Sequence, residues 1–350
     1  MKRREFTPII KNIEKFNNIK LCNPKKLEGY LTEVRGRGSY TGESTKSFGD
    51  KWFIVDGKKA IFKTYDSDYM RRIKNVRMFN ELLCQKLCEQ AGIECAKYEY
   101  ASLNNRTGLI SYNFCNEDEE VCSLNYLHEN IKDKEDDSFI VTNISDCLKT
   151  LKIYESKGYS FDKQGVVKDL YKLIVFDTLT MQTDRNRTNI NFIKNNQTKE
   201  LRVAPVFDNE YAFCGEMIDR MLTSIENKNE YFEDFTYSEL PSMYSIYARS
   251  FELDNKNYLK TNFFEKINLI TSYANKNEEL SKELNNIMEK LDIDKAIKDL
   301  KKQYNKNGEK LEISEDYEQF ICTIMAITKS QVAKSMEEEN WKNLDEELIR

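Results

Sequence analysis

Three residues near the middle of the chain have the types and spacing that phosphoryl transfer needs: Asp184, Asn189 and Asp208. They stand in Thr183-Asp184-Arg185-Asn186-Arg187-Thr188-Asn189 and in Ala204-Pro205-Val206-Phe207-Asp208-Asn209. Moving a phosphoryl group to a hydroxyl calls for a carboxylate beside the attacking oxygen. It also calls for oxygen ligands to the Mg²⁺ that neutralises the phosphates. Asp184 suits the base. Asn189, five residues on, can offer its amide oxygen to the metal, and Asp208 can return to that metal after an intervening hairpin. Asp and Asn both favour turns, so Asp184 and Asn189 alone also read as ordinary loop residues. The Phe207-Asp208 pair after a strand, nineteen residues beyond Asn189, favours a site.

A second signal is Lys63, in Ala60-Ile61-Phe62-Lys63-Thr64-Tyr65. A lysine in an apolar strand is often just outward-facing. Eighteen residues later, however, Glu81 falls within a helical pattern, where the plain reading is a solvated face. A strand lysine paired with a helix glutamate is how kinases hold the phosphates of ATP, and the Asp184–Asn189 spacing is that of the kinase catalytic loop. A third signal is Gly36-Arg37-Gly38-Ser39-Tyr40-Thr41-Gly42-Glu43-Ser44-Thr45-Lys46. Glycine admits phosphate oxygens close to backbone amides, so Gly38, Ser39 and Gly42 are candidates to cover a nucleotide. The stretch is neither GxxxxGK[ST] nor GxGxxG, and by itself reads as a polar loop. Ser39, Ser44, Thr45 and Ser47 place hydroxyls where autophosphorylation can be sought.

The elements that must position these residues are legible in outline. Trp52-Phe53-Ile54-Val55 and Ala60-Ile61-Phe62-Lys63 flank Asp56-Gly57, a hairpin signal within a β-rich stretch over 28–65. Val76, Phe79, Leu82, Leu83, Leu87 and Ala91 recur at helical spacing, which predicts a helix over 69–91 capped by Gly92. Strands are expected over 93–101 and 107–114, joined at Asn104-Asn105-Arg106. The acidic segment Asn116-Glu117-Asp118-Glu119-Glu120 reads as the boundary between lobes, placing an N-lobe at 1–117 and a helical C-lobe at 118–350. Residues 1–27 show little pattern, and the polar run 132–137 reads as a solvated loop. Helices are predicted over 144–156 and 165–182, then a hairpin of Ile190–Ile193 and Leu201–Val203 about Asn195-Asn196. Amphipathic helices fill 240–345. The fold class is α+β, a bilobal protein-kinase-like arrangement with a β-rich N-lobe, one main helix and a mostly helical C-lobe.

Composition narrows the function classes. The 350 residues carry 54 basic and 59 acidic side chains, which argues against a dedicated nucleic-acid binder. There is no apolar run long enough to span a membrane, and Met1-Lys2-Arg3-Arg4 leads into no apolar segment that would make a signal peptide. Nine cysteines without a CxxC pair fit reduced thiols. Cys84 and Cys88, four apart on a helix, read as core packing before they read as metal ligands. His128, the single histidine, reads as a loop or core residue.

Asp184-Arg185-x-x-x-Asn189-x-x-Phe192, then Ala204-Pro205-x-Phe207-Asp208-Asn209, resembles the signature of HipA-like serine/threonine kinases. Asn80-Glu81 through Ala91-Gly92-Ile93 is similar to that family's Asn-Glu helix and the strand after it. The likeness covers about 36–215, in a compact form (CtkA-like or HipT-like) without the family's extra N-terminal subdomain. It implies a bacterial, cytoplasmic, ATP- and Mg²⁺-dependent enzyme that phosphorylates a protein Ser or Thr and autophosphorylates. Secretion into a host stays open. By this resemblance Asp184 is the base, Asn189 and Asp208 bind Mg²⁺, and Lys63 contacts the phosphates. The implied partners are a protein substrate and an antitoxin or other regulatory protein, with no direct nucleic acid and no membrane. The chain departs from the pattern at Asn186, where a histidine is common, and in the loop over 39–46. Two other readings stay open. One is a phosphoinositide-kinase-like lipid or small-molecule kinase, which shares Asp-Arg-x-x-x-Asn. The other is a pseudokinase that binds nucleotide as an interaction module.

Overall fold

The structure, a computed structural model, describes residues 18–27, 53–65, 73–131, 144–182, 184–185, 189–215, 218 and 263–349. The loop over 36–47, with Gly38, Ser39, Gly42, Ser44, Thr45 and Ser47, lies outside the described residues. So do Trp52, the run 132–137 and residues 240–262.

Strands β2 (Phe53–Val55) and β3 (Lys58–Thr64) pair antiparallel about Asp56-Gly57. Both turn residues are left-handed, with φ 50° and 75°, which suits the twist of a two-residue hairpin. β3 pairs with β5 (Arg106–Tyr112), and β5 with β4 (Tyr98–Leu103). The β4–β5 turn is made by Asn104 and Asn105, again at positive φ. A two-residue β1 (Lys25–Lys26) adds a parallel edge to β4, giving the order β1-β4-β5-β3-β2. So short a strand leaves no periodicity in sequence, which is why 1–27 read as patternless.

Strand alternation decides where Lys63 points. Ala60 and Phe62 join Phe53, Val55, Ala101 and Ile110 in a cluster on one face. Lys63 falls on the other, in a row with its cross-strand partner Leu109 and that residue's partner Tyr100, facing helix α1 (Lys74–Ala91). Helix α1 buries Val76, Phe79, Leu82, Leu83 and Leu87, and also Arg77, Asn80 and Glu81. Gly92 ends it at φ 69° and returns its N–H to Cys88. Only one of the two strands expected after it begins late: residue 95 makes a single bridge to Val206, and β4 proper starts at Tyr98.

A second sheet, β6-β7-β8, joins Glu119–Ser123, Asn191–Asn195 and Leu201–Val203. The end of the acidic run therefore enters a strand. The strand tolerates these carboxylates because Lys194 pairs with Glu120 across it, and Arg202 lies 3.3 Å from Glu119. Helices α2 (Leu124–Glu129), α3 (Ile144–Ser156) and α4 (Lys163–Leu179) follow in sequence order around this sheet. His128 is buried on α2. Helices α5 (Phe263–Lys276), α6 (Glu278–Lys290), α7 (Ile293–Tyr304) and α8 (Glu315–Ile349) follow among the described residues. One apolar core runs from α1 through α4 to α8. The nine cysteines are free, and burial pushes the Cys84 and Cys88 thiols well up, as core packing requires.

Gly108 stands opposite Thr64, and a Cβ there would lie 2.3 Å from the Lys63 carbonyl oxygen. Gly108→Ala is expected to destabilise the protein by ~1–3 kcal/mol, as overpacking does, read as a lower urea midpoint.

Candidate active site

Lys63 is the hub of a partly buried ionic cluster. Its ammonium donates to Glu81 Oε1 at 3.2 Å and to Asp208 Oδ1 at 2.9 Å. It also lies 3.1 Å from Glu210 Oε2, an ion pair off the hydrogen-bond axis. Glu81 is fully buried and is no solvated face. Its second oxygen accepts the backbone N–H of Asn209 at 2.9 Å, so one carboxylate ties the strand lysine to the Asp208 segment. Asp208 is left-handed, with φ 60°, and its N–H donates to the Tyr98 hydroxyl at 3.3 Å. Glu210 also accepts from Arg77, whose guanidinium lies between the rings of Tyr65 (5.0 Å) and Tyr211 (4.8 Å).

Asp184 and Asn189 meet directly. Asn189 Nδ2 donates to the Asp184 carbonyl at 2.6 Å and lies 3.4 Å from Asp184 Oδ2. Gln182 bridges the two halves of the site: its Oε1 accepts the Asp184 N–H at 3.1 Å, and its Nε2 donates to the Asp208 carbonyl at 3.2 Å.

Behind these groups lies Arg185, 2 % exposed. Its Nε and Nη2 grip Asp177 of α4 at 3.0 and 3.2 Å. Nη1 donates to the Phe207 carbonyl at 2.6 Å and to the Asn189 carbonyl at 3.4 Å, and Nη2 to Asn209 Oδ1 at 2.7 Å. One guanidinium therefore fixes α4, the Asp184–Asn189 loop and both neighbours of Asp208. Burial alone would lower the guanidinium's pKa, but Asp177 more than offsets this and holds it up.

The two acids flanking Lys63 are driven apart. Burial raises the Glu81 carboxyl, with Lys63 compensating only in part. Burial acts on Asp208 in the same sense, but Lys63, Arg185 and Arg77 outweigh it and hold that carboxyl below its ordinary range. Asp208 is thus kept anionic. Ligand atoms of Glu81, Asp208 and Glu210 lie within 4.8 Å of one another. These donors are all hard oxygens, which fits Mg²⁺. Lys63 now sits among them as the counter-cation.

The structure thus brings together Lys63, Glu81 and Asp208, and pairs Asp184 with Asn189; Gly38, Ser39 and Gly42 are outside the described residues. Sequence reasoning missed Glu210, Arg77, Gln182, Tyr98 and Asp177. Asp177 left a signal, as a lone charge in the apolar run Ile174-Val175-Phe176-Asp177-Thr178-Leu179.

Residues 42–291, more than half of the chain, match the HipA-like C-terminal domain family. The Helicobacter pylori proinflammatory kinase CtkA is similar in structure, with TM-score 0.57 and 17% identity over 83% of this chain and 94% of that one. HipA of the Shewanella oneidensis MR-1 toxin–antitoxin system, in complex with HipB and operator DNA, gives TM-score 0.40 and 12% identity. That alignment covers 91% of this chain and 67% of the other. No curated protein matches the sequence. The likeness to CtkA bears on the fold and agrees with the bilobal α+β arrangement.

Arg185→Met removes the two guanidinium donors that hold the buried Asp177 carboxylate at 3.0 and 3.2 Å and is expected to cost about 3–5 kcal/mol in urea unfolding. The double variant with Asp177→Leu is expected to lose less than the sum of the single variants, because the two side chains are in direct contact and both single variants break the same ion pair.

Proposed function

The chain belongs to the HipA-like C-terminal domain family, and we propose from that premise that it is an ATP- and Mg²⁺-dependent serine/threonine protein kinase. The observation that carries this reading is the joint arrangement of two pairs. Lys63 is held between Glu81 and Asp208, while Asp184 and Asn189 are tied to the Asp208 segment through Gln182 and Arg185. A nucleotide-phosphate lysine must be fixed yet able to give up its acidic partners to phosphate oxygens, and Lys63 has three such partners within reach.

In this reading Asp184 accepts the proton of the attacking Ser or Thr hydroxyl. Lys63, oriented by Glu81, contacts the phosphates of ATP. Asp208 and Asn189 would hold Mg²⁺, which when bound neutralises charge on the phosphates. Glu81 keeps both Lys63 and the Asn209 amide in place, so the lysine and the metal-side aspartate move together. We assign residues 1–117 to the nucleotide-covering N-lobe and 118–350 to the C-lobe. Gly38, Ser39 and Gly42 are proposed to cover the nucleotide, with autophosphorylation among Ser39, Ser44, Thr45 and Ser47. The proposed partners are a protein substrate and an antitoxin or other regulatory protein, and the proposed location is a bacterial cytoplasm. No helix of the described residues is long and apolar enough to cross a membrane.

The test is transfer from labelled ATP, with mass spectrometry of the chain and of lysate proteins. Asp184→Asn is expected to lower turnover by about 10²–10⁴-fold while leaving the fold intact by circular dichroism. Asp208→Asn or chelation of Mg²⁺ is expected to abolish transfer. Unchanged transfer in both variants overturns the site, and label confined to phosphoinositide vesicles overturns the protein-kinase assignment.

A further inference from the structure

Helix α8 begins beyond the stretch matched to the family, which ends at residue 291, yet it reaches the layer just behind the ionic cluster. Tyr317, fully buried near its start, donates its hydroxyl to Asn80 Oδ1 at 2.5 Å, and its ring meets Phe79 edge-on at 6.2 Å. Asn80, also fully buried, precedes Glu81 on α1. It directs its amide hydrogens to the carbonyls of Ala212 at 2.9 Å and Glu210 at 3.3 Å. The same segment is held from the other side by the chain that leads into Asp184. Phe213 N–H donates to the Thr180 carbonyl at 2.7 Å, and Cys214 N–H to the Met181 carbonyl at 3.3 Å. Gly215 closes it so tightly that a Cβ would stand 3.1 Å from the Glu210 carbonyl oxygen.

An amide can present either end. The Asn80 NH₂ can face two carbonyls only while Oδ1 faces a donor, and Tyr317 is that donor. Burial pushes the Tyr317 phenol up, so it keeps its proton. The stretch that leads into α8, from Asp292 through α7 to Glu312, is itself tied to the N-terminal half. Gln90 and the Asp292 backbone exchange bonds of 2.9 and 2.8 Å, Tyr100 N–H donates to the Tyr304 hydroxyl at 3.2 Å, and residue 20 bridges to Glu312.

We infer that Asn80 and Tyr317 are positioning residues for the segment carrying Asp208 and Glu210, and that the C-terminal helix is thereby an integral part of the phosphotransfer site. The inference rests on the kinase reading. It makes α8 a control point: a ligand or partner that draws Tyr317 away releases the Asn80 amide and loosens the Asp208 segment. It also ties α1 to the C-terminal helices, which opposes regulation by an outward swing of that helix.

Tyr317→Phe removes one oxygen from this chain of bonds. Its turnover is expected to fall about tenfold, the scale of one lost positioning hydrogen bond, with KM for ATP within about twofold of wild type. Hydrogen exchange of peptides spanning 209–215 is expected to accelerate. Asn80→Ser, which removes both amide donors, is expected to do the same. Ser335→Ala is the stability control. It loses a bond to Thr271 (2.6 Å) and one to Asn268 (3.0 Å) on the same helix, and should lower the melting temperature with turnover and exchange over 209–215 unchanged. Wild-type turnover and exchange in Tyr317→Phe overturn the inference. Loss matched by Ser335→Ala overturns it too, since that would be destabilisation alone. If instead the wild-type protein transfers no phosphate from labelled ATP, the kinase assignment falls, and the exchange comparison, which needs no turnover, still decides the positioning claim.

Discussion

The rest of the site depends on one buried cation, the guanidinium of Arg185. A charge taken out of water is stable only if nearly every donor finds an acceptor. Arg185 meets that condition by collecting acceptors from three places: Asp177 on α4, the carbonyl of Asn189, and Phe207 and Asn209 on either side of Asp208. The desolvation cost forces these segments to converge, because leaving any of them away would strand a donor. The relative placement of the Asp184–Asn189 loop and Asp208 follows from this constraint and does not need to be encoded in the site residues themselves.

The cluster around Lys63 applies the same logic with the opposite excess. Three carboxylates face one ammonium, and Arg77 supplies a second positive charge to Glu210. The result is a polar centre with spare oxygen ligands and a lysine whose partners can be exchanged. Burial and the neighbouring Asp208 charge raise the Glu81 carboxyl despite Lys63, whereas at Asp208 burial is outweighed by Lys63, Arg185 and Arg77. Anion density is thereby concentrated at the position proposed for the metal, while Glu81 serves as an anchor between Lys63 and Asn209.

Much of the fold was legible because local chemistry fixes it. Asp56-Gly57 and Gly92 mark backbone positions that need positive φ, and both fall where the turn and the helix cap were expected. Helices α1 and α3 and the β7–β8 hairpin follow their apolar periodicities. β1 and β6 were missed for different reasons. β1 is two residues long and exists only by pairing with β4. The acidic start of β6 reads as solvent-exposed until Lys194 and Arg202 on the neighbouring strands are known.

The sequence by itself determined which residues have the chemistry: a lysine on a strand, a glutamate on the following helix, and Asp184, Asn189 and Asp208 at their spacings. Types and intervals survive in one dimension because a turn, a strand and a helix each impose a local period. Only the tertiary structure decided the neighbours. Lys63 meets Glu210 as well as Glu81, Arg185 selects Asp177, and Tyr317 reaches Asn80 from 237 positions away along the chain. Such contacts leave no spacing to read. They are chosen by burial, which favours arrangements in which enclosed charges, amides and hydroxyls meet complements wherever in the chain those lie.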